Sequence, residues 1–138
     1  MPLPDLPAEI SVPARLIEVR RLAEHLRKVC RASGVSEMTA FDCELALVEA
    51  ANNVAEHGHA GLAEGEMTLS VQIGEGRLRM ELRDSGKPVP EGQFLAPATA
   101  SRDAPRGRGI GIIRSCLDTV DYIREDGINR LIMIKRLD

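Results

Sequence analysis

The sequence predicts an α+β two-layer sandwich, a mixed and mostly antiparallel sheet covered on one face by three helices. Three observations lead there. Apolar residues alternate between the two-residue period of strands and the 3.6-residue period of helices, in the order β, α, α, β, β, loop, α, β, β. Two pairs of strand-like runs flank short glycine-containing turns, which favours antiparallel hairpins over parallel crossovers. At 138 residues the chain is one domain, 1–138, long enough to bury a core without disulfide or metal staples.

Taken in order, Met1 to Pro7 holds three prolines and reads as a flexible arm. Glu9-Ile10-Ser11-Val12 alternates as a first strand, closed by Pro13. From Ala14 to Ser33, Leu16, Ile17, Val19, Leu22, Ala23, Leu26, Val29 and Cys30 recur at helical spacing, and Gly34 supplies the stop. Arg15, Arg20, Arg21, Arg27, Lys28 and Arg31 make its outer face basic. That face reads either as a solvated cover over the sheet or as a docking surface for an acidic partner. A second helix starts near Ser36 or Thr39, with Asp42 placed after Thr39 as in a capping box. It ends at Gly58 or Gly61.

Met67 to Ile73 and Leu78 to Leu82 alternate about a Gly74-Glu75-Gly76 turn. Ser85 to Arg106 has four prolines, two glycines and no sustained period, so it reads as a long loop. Loops of that length inside compact domains are usually functional, often lids. Gly107 to Leu117 is a glycine-opened helix. Val120 to Arg124 and Leu131 to Ile134 form a last hairpin about Asp126-Gly127.

Composition removes several function classes. With no Trp, one Tyr and two Phe, the chain lacks the aromatic platforms of a base-stacking nucleic-acid module. A net charge of −3 gives no global basic field for a phosphate backbone. No direct nucleic-acid partner is expected. Cys30, Cys43 and Cys116 are scattered and odd in number, which fits reduced packing residues better than a disulfide framework or metal site. His57 and His59 lack a third ligand. No apolar run approaches the length of a membrane span, and the N-terminus lacks a signal peptide's basic and hydrophobic regions. A cytoplasmic protein with no membrane partner is expected.

Three motifs carry chemistry. Glu49 and Asn53 lie four apart on an otherwise apolar helix, so both leave one face, within roughly 40° of each other. A carboxylate there can accept a proton or order a water, and an amide oxygen suits a hard cation such as Mg²⁺. Asp84-Ser85-Gly86 closes the strand Leu78-Arg79-Met80-Glu81-Leu82-Arg83. Asp84 can accept a hydrogen bond from an exocyclic amine such as adenine's, and Gly86 lets backbone approach the ring. Alone, the tripeptide is an ordinary turn. In Arg106-Gly107-Arg108-Gly109-Ile110-Gly111-Ile112-Ile113-Arg114, alternating glycines at a helix start expose backbone amides to an anion, with arginines alongside. The spacing is neither a Walker loop nor a Rossmann turn, and the glycines also suit close packing.

Together and in this order, the motifs resemble the N-box, G1 box and G2 box of the GHKL ATPase superfamily. Within it the chain most resembles the anti-sigma-factor serine/threonine kinases. The likeness runs from the first strand to Leu117-Asp118-Thr119-Val120-Asp121-Tyr122. It implies ATP and Mg²⁺ as cofactors, Asn53 as the metal-holding residue, and Glu49 as the catalytic base for a protein hydroxyl. It implies that Asp84 and Gly86 receive adenine, and that Gly107, Arg108, Gly109, Ile110 and Gly111 cradle the phosphates beneath an ATP lid at 85–106. The implied partners are a STAS-domain anti-sigma-factor antagonist and a sigma factor, and a homodimer is allowed.

Two departures stand out. Pro88 occupies the usual second glycine of the G1 box, so one backbone donor is lost and φ is fixed, with Lys87 alongside to offset the loss by charge. No small hydroxyl residue can be placed near adenine in the last strand, Arg130-Leu131-Ile132. The kinase reading stands beside two others: a non-catalytic ATP-gated protein-binding switch, and a nucleotide-independent scaffold.

Overall fold

A computed structural model describes residues 8–58, 65–88 and 105–137, with the backbone alone for 57–58 and 105–110. Among the described residues five strands and three α-helices follow the expected order, with a 3₁₀ turn and a π turn added to it. Strand β1 is Glu9–Pro13. A 3₁₀ turn at Leu16–Glu18 leads into α1, Val19–Ala32. Helix α2 is Glu37–Asn53 and passes directly into a π-helical turn, Val54–Gly58. Strands β2, Glu66–Gly74, and β3, Arg77–Asp84, form the first hairpin. Helix α3, Pro105–Cys116, precedes β4, Thr119–Glu125, and β5, Ile128–Arg136.

The five strands form one sheet in the order β1-β2-β3-β5-β4, and every pairing is antiparallel. That sharpens the mixed sheet expected. Both hairpins turn on two residues with positive φ, Glu75-Gly76 and Asp126-Gly127. Such turns match the right-handed twist of the flanking strands. Helix α1 stops where Gly34, at φ +75°, lets Val35 N–H reach the Cys30 carbonyl at 3.0 Å, as in a Schellman cap.

Period-2 patterning gives the sheet two unlike faces. Met67, Leu69 and Val71 of β2, with Leu78, Met80 and Leu82 of β3, are buried beneath the helices. Leu22 and Leu26 of α1, Ala46 and Leu47 of α2, and Ile113 of α3 close that core from above. The opposite face carries charge. Glu81 is buried there among arginines, 3.1 Å from Arg79 Nη2 and 3.5 Å from Arg130 Nη1. Beside it, Arg83 donates to Glu9 Oε2 at 2.5 Å, which Ser70 also reaches at 2.7 Å.

Three expectations are corrected. Ser36 is the N-cap of α2, and its Oγ accepts from Thr39 N–H at 3.2 Å. The Thr39–Asp42 box is not formed; Asp42 faces Lys135 at 3.7 Å instead. The helical segment reaches Gly58, one of the two ends expected, but its α-helical register stops at Asn53 because the last turn widens. Helix α3 begins at Pro105, two residues before Gly107. Proline suits a first turn because the missing N–H has no intrahelical partner there. The expected lid therefore overlaps the helix at 105–106, and its residues 89–104 lie outside the described residues, as does the 1–7 arm.

Candidate functional site

Asp84 ends β3 in the same phase as Leu78, Met80 and Leu82, so its side chain falls on the helix-covered face at the sheet's end. It is 7% exposed, as a buried carboxylate must be hydrogen-bonded to be tolerated. Gly86 N–H donates to its Oδ1 at 2.8 Å, and Asn129 Nδ2 donates to the same oxygen at 3.0 Å. Asn129 stands directly across from Asp84 in the β3–β5 register. Sequence reading missed it. One signal was available: Asn129 shares the phase of Leu131 and Met133, so a polar residue sits where the strand's pattern calls for a core one.

Asn129 is the hub of a wider network. Its Nδ2 also lies 3.2 Å from the Gly86 carbonyl and 3.1 Å from that of Lys87. Its Oδ1 accepts from the Tyr122 hydroxyl at 2.5 Å and from Arg124 Nη1 at 2.8 Å. Arg124 Nη1 donates again to the Gly86 carbonyl at 3.0 Å. The chain from Asp84 to Lys87 is thus tied to the β4–β5 hairpin before Pro88 is reached.

Glu49 and Asn53 lie one turn apart on unbroken α2, both half-buried, among buried Ala46, Ala50 and Ala51. Neither side chain has a hydrogen bond or ion pair among the described residues. The π-helical turn begins at the residue after Asn53. Single π turns inside α-helices recur at functional sites because they re-aim the side chains around them.

Helix α3 packs against α2. The backbone of Gly107, Arg108, Gly109 and Ile110 is helical, and Gly111 is half-buried. The side chains of Arg108 and Ile110 lie outside the described residues. Arg114, one turn beyond Gly111, has a buried Nε without a partner among the described residues.

Other chemistries find little support. Burial pushes the Cys30 thiol up to about 11, with Glu44 adding to it, and the Cys43 thiol up to about 12. Neither is a nucleophile near neutrality. No group of three or more metal-ligating side chains exists among the described residues. Among them, too, no helix is long and apolar enough to cross a membrane. A cavity of about 840 Å³ opens at the end of the sheet, lined by Arg15, Thr68, Arg83 and Arg130 together with Asp84 and Ser85. Arg83 and Arg130 are already paired with Glu9 and Glu81, so Asp84 is the part of this lining that belongs to the candidate site.

A five-stranded antiparallel sheet under three helices, with a buried carboxylate at a strand end on the helix-covered face, a carboxylate–carboxamide pair on one helix and glycines at the start of another, defines a class. Residues 12–135 match the histidine kinase-like ATPase domain, and the chain belongs to that family. Within it the chain is similar to the serine-protein kinase RsbW of Listeria innocua serovar 6a. The two are 25% identical over 138 residues, covering 94% of this chain and 86% of that one. RsbW of Listeria monocytogenes serovar 1/2a matches to the same extent. The expected resemblance to the anti-sigma-factor serine kinases rests on these relatives.

Among solved structures, the RsbU and RsbW domains of Rv1364c from Mycobacterium tuberculosis share the fold at TM-score 0.68 and 16% identity. That match covers 94% of this chain and 32% of that one, so this chain spans about a third of its length. The histidine kinase domain of the Erythrobacter litoralis EL346 blue-light activated histidine kinase follows at TM-score 0.61 and 17% identity, covering 91% of this chain and 62% of that one.

Proposed function

We propose that the protein is an ATP-dependent serine/threonine protein kinase and anti-sigma factor, acting on a STAS-domain antagonist and holding a sigma factor when the antagonist is absent. The observation that carries the reading is the buried Asp84, aimed by Gly86 N–H at the end of β3. The family match and the RsbW relatives support the reading of that carboxylate as the receptor for adenine's amine.

The donor set fits a nucleotide and its metal. Asp84 offers an acceptor to the base. Asn53 offers a neutral oxygen to Mg²⁺, and the first amides of α3, with Arg114 on the helix, suit phosphate oxygens. Mg²⁺ would neutralise charge on the phosphates. Glu49, on the same face as Asn53, would take the hydroxyl proton of the substrate serine or threonine as its oxygen bonds to the γ-phosphorus and ADP leaves. Phosphoryl transfer asks chiefly for positioning and charge neutralisation, which these parts supply.

Calorimetric titration of ATP with and without Mg²⁺, beside Asp84→Asn, tests the site. Micromolar binding that tightens with Mg²⁺ and is lost in the variant is expected; no binding at millimolar ATP would overturn the reading. Transfer of label from γ-labelled ATP to a STAS-domain protein then tests the kinase. Nucleotide binding with partner capture but no transfer would leave the non-catalytic switch in its place.

A further inference from the structure

We propose that Asn129, held from behind by Arg124 and Tyr122, is a positioning residue that locks the base-reading carboxylate Asp84 and so sets selectivity for adenine over guanine nucleotides. The inference rests on the nucleotide reading of the site and extends it to a residue outside the three sequence motifs.

The network itself orients the amide. Around Nδ2 stand three acceptors, Asp84 Oδ1 and the carbonyls of Gly86 and Lys87. Around Oδ1 stand two donors, the Tyr122 hydroxyl and Arg124 Nη1. Flipping the amide would set NH₂ against the Arg124 guanidinium, which can only donate, and oxygen against three acceptors, so the network selects one orientation. Asn129 is 4% exposed, so water does not substitute for these partners. The side chain is therefore fixed at both of its polar atoms, and it fixes Asp84 in turn.

Selectivity follows from what a fixed carboxylate accepts. Adenine presents an exocyclic amine, a donor, where guanine presents a carbonyl oxygen, which a carboxylate repels. A carboxylate free to turn has another choice, since it can meet guanine's ring N–H and amino group together as a two-point acceptor. Asn129 Nδ2 and Gly86 N–H converge on one oxygen of Asp84 and oppose that rotation. The same hub holds the Gly86 carbonyl, twice over with Arg124, and the Lys87 carbonyl. The turn ahead of Pro88 is thus shaped by side chains of the β4–β5 hairpin rather than by a second glycine.

The test measures dissociation constants for Mg-ATP and Mg-GTP on the intact chain, wild type against Asn129→Ala, with thermal melting of each without ligand. Losing a buried, charge-assisted hydrogen bond should weaken ATP by about tenfold or more while GTP changes less, so the ATP-to-GTP preference falls. Ser36→Ala, a destabilising change at the remote end of α2, serves as the control and should leave that preference alone. A merely structural Asn129 would lower melting without moving the preference, and that result overturns the proposal. Tyr122→Phe removes only the hydroxyl behind Oδ1 and covers the case in which Asn129→Ala does not fold. It should lower the preference by about threefold; an unchanged ratio there counts equally against the latch. Wild-type protein that binds no ATP would instead overturn the nucleotide reading, and the latch's role with it.

Discussion

The candidate site has two ends, built by different layers and held in different ways. At the sheet end, Asp84 and the turn to Lys87 are bound by side chains from β4 and β5, with every distance between 2.5 and 3.2 Å. At the helix end, Glu49 and Asn53 have no such partner among the described residues and are aimed by helix geometry alone. Buried polar networks that are fully satisfied rigidify their surroundings, whereas half-buried groups on a helix keep rotamer freedom. On the proposed function, the base-reading end is formed before nucleotide arrives. The phosphate end acquires its partners only when ligand and metal supply them.

The sharpest way to separate the ends is Glu49→Gln. It removes a proton acceptor without changing shape, so phosphotransfer should fall by about 10²- to 10⁴-fold. ATP affinity should stay within about threefold, because the base is held elsewhere. Equal losses in both measurements would mean that the two ends are not separable. Next in size is Met80→Ala, in the middle of β3 and fully buried. A large-to-small change there costs about 2–5 kcal/mol of stability, read from urea unfolding. The bound base should remain as selective as before, since the hydrogen bonds around Asp84 are untouched.

Much of this contrast was legible in the sequence, and the part that was not has a physical cause. Hairpin turns at Glu75-Gly76 and Asp126-Gly127 are local, so their residues announce them. The pairing of β3 with β5, with β4 displaced to the edge, joins segments 45 residues apart at Asp84 and Asn129. No local pattern encodes it. Asp84 stood out because Gly86 follows it. Asn129 did not, because it lies beside a turn where asparagine is ordinary. Only its phase with Leu131 and Met133 marked it as inward. The widening after Asn53 leaves no trace in the apolar period, so the helix was expected to reach Gly58 as one α-helical register. The placement of Arg108 and Ile110 side chains stays an expectation of the sequence.

A smaller effect is expected at the start of α2, far from both ends. Ser36→Ala removes the oxygen that accepts from Thr39 N–H and should cost about 1 kcal/mol. If the helix end depends on helix geometry, part of that loss should reappear as weaker transfer with Glu49 intact. Transfer unchanged at full saturation would show that the last turns of α2 are anchored by packing on α3, not by the cap.

The smallest expected effect concerns pH, and it too divides helices from sheet. His25 on α1 is 7% exposed with Nε2 unpartnered among the described residues. Burial holds its pKa below the ordinary 6.5, and Lys28 nearby pushes in the same direction. The unfolded imidazole therefore binds a proton more readily than the folded one, so stability rises with pH between the two values. Its contribution is complete above about 6.5 and is lost as pH falls below that toward the folded value. Glu9, on the sheet's open face, behaves otherwise. Hydrogen bonds from Ser70 and Arg83, and the Arg83 charge, hold its carboxyl below 4.5, so its contribution survives until pH falls under that value. Urea midpoints between pH 7.5 and 5 should therefore decline in the wild type and flatten in His25→Leu, while Glu9→Gln keeps the decline. If His25→Leu declined as steeply as the wild type, the acid sensitivity of this window would belong to neither layer's named group. The buried imidazole would then be neutral to folding, and the helix layer would be as well satisfied as the sheet.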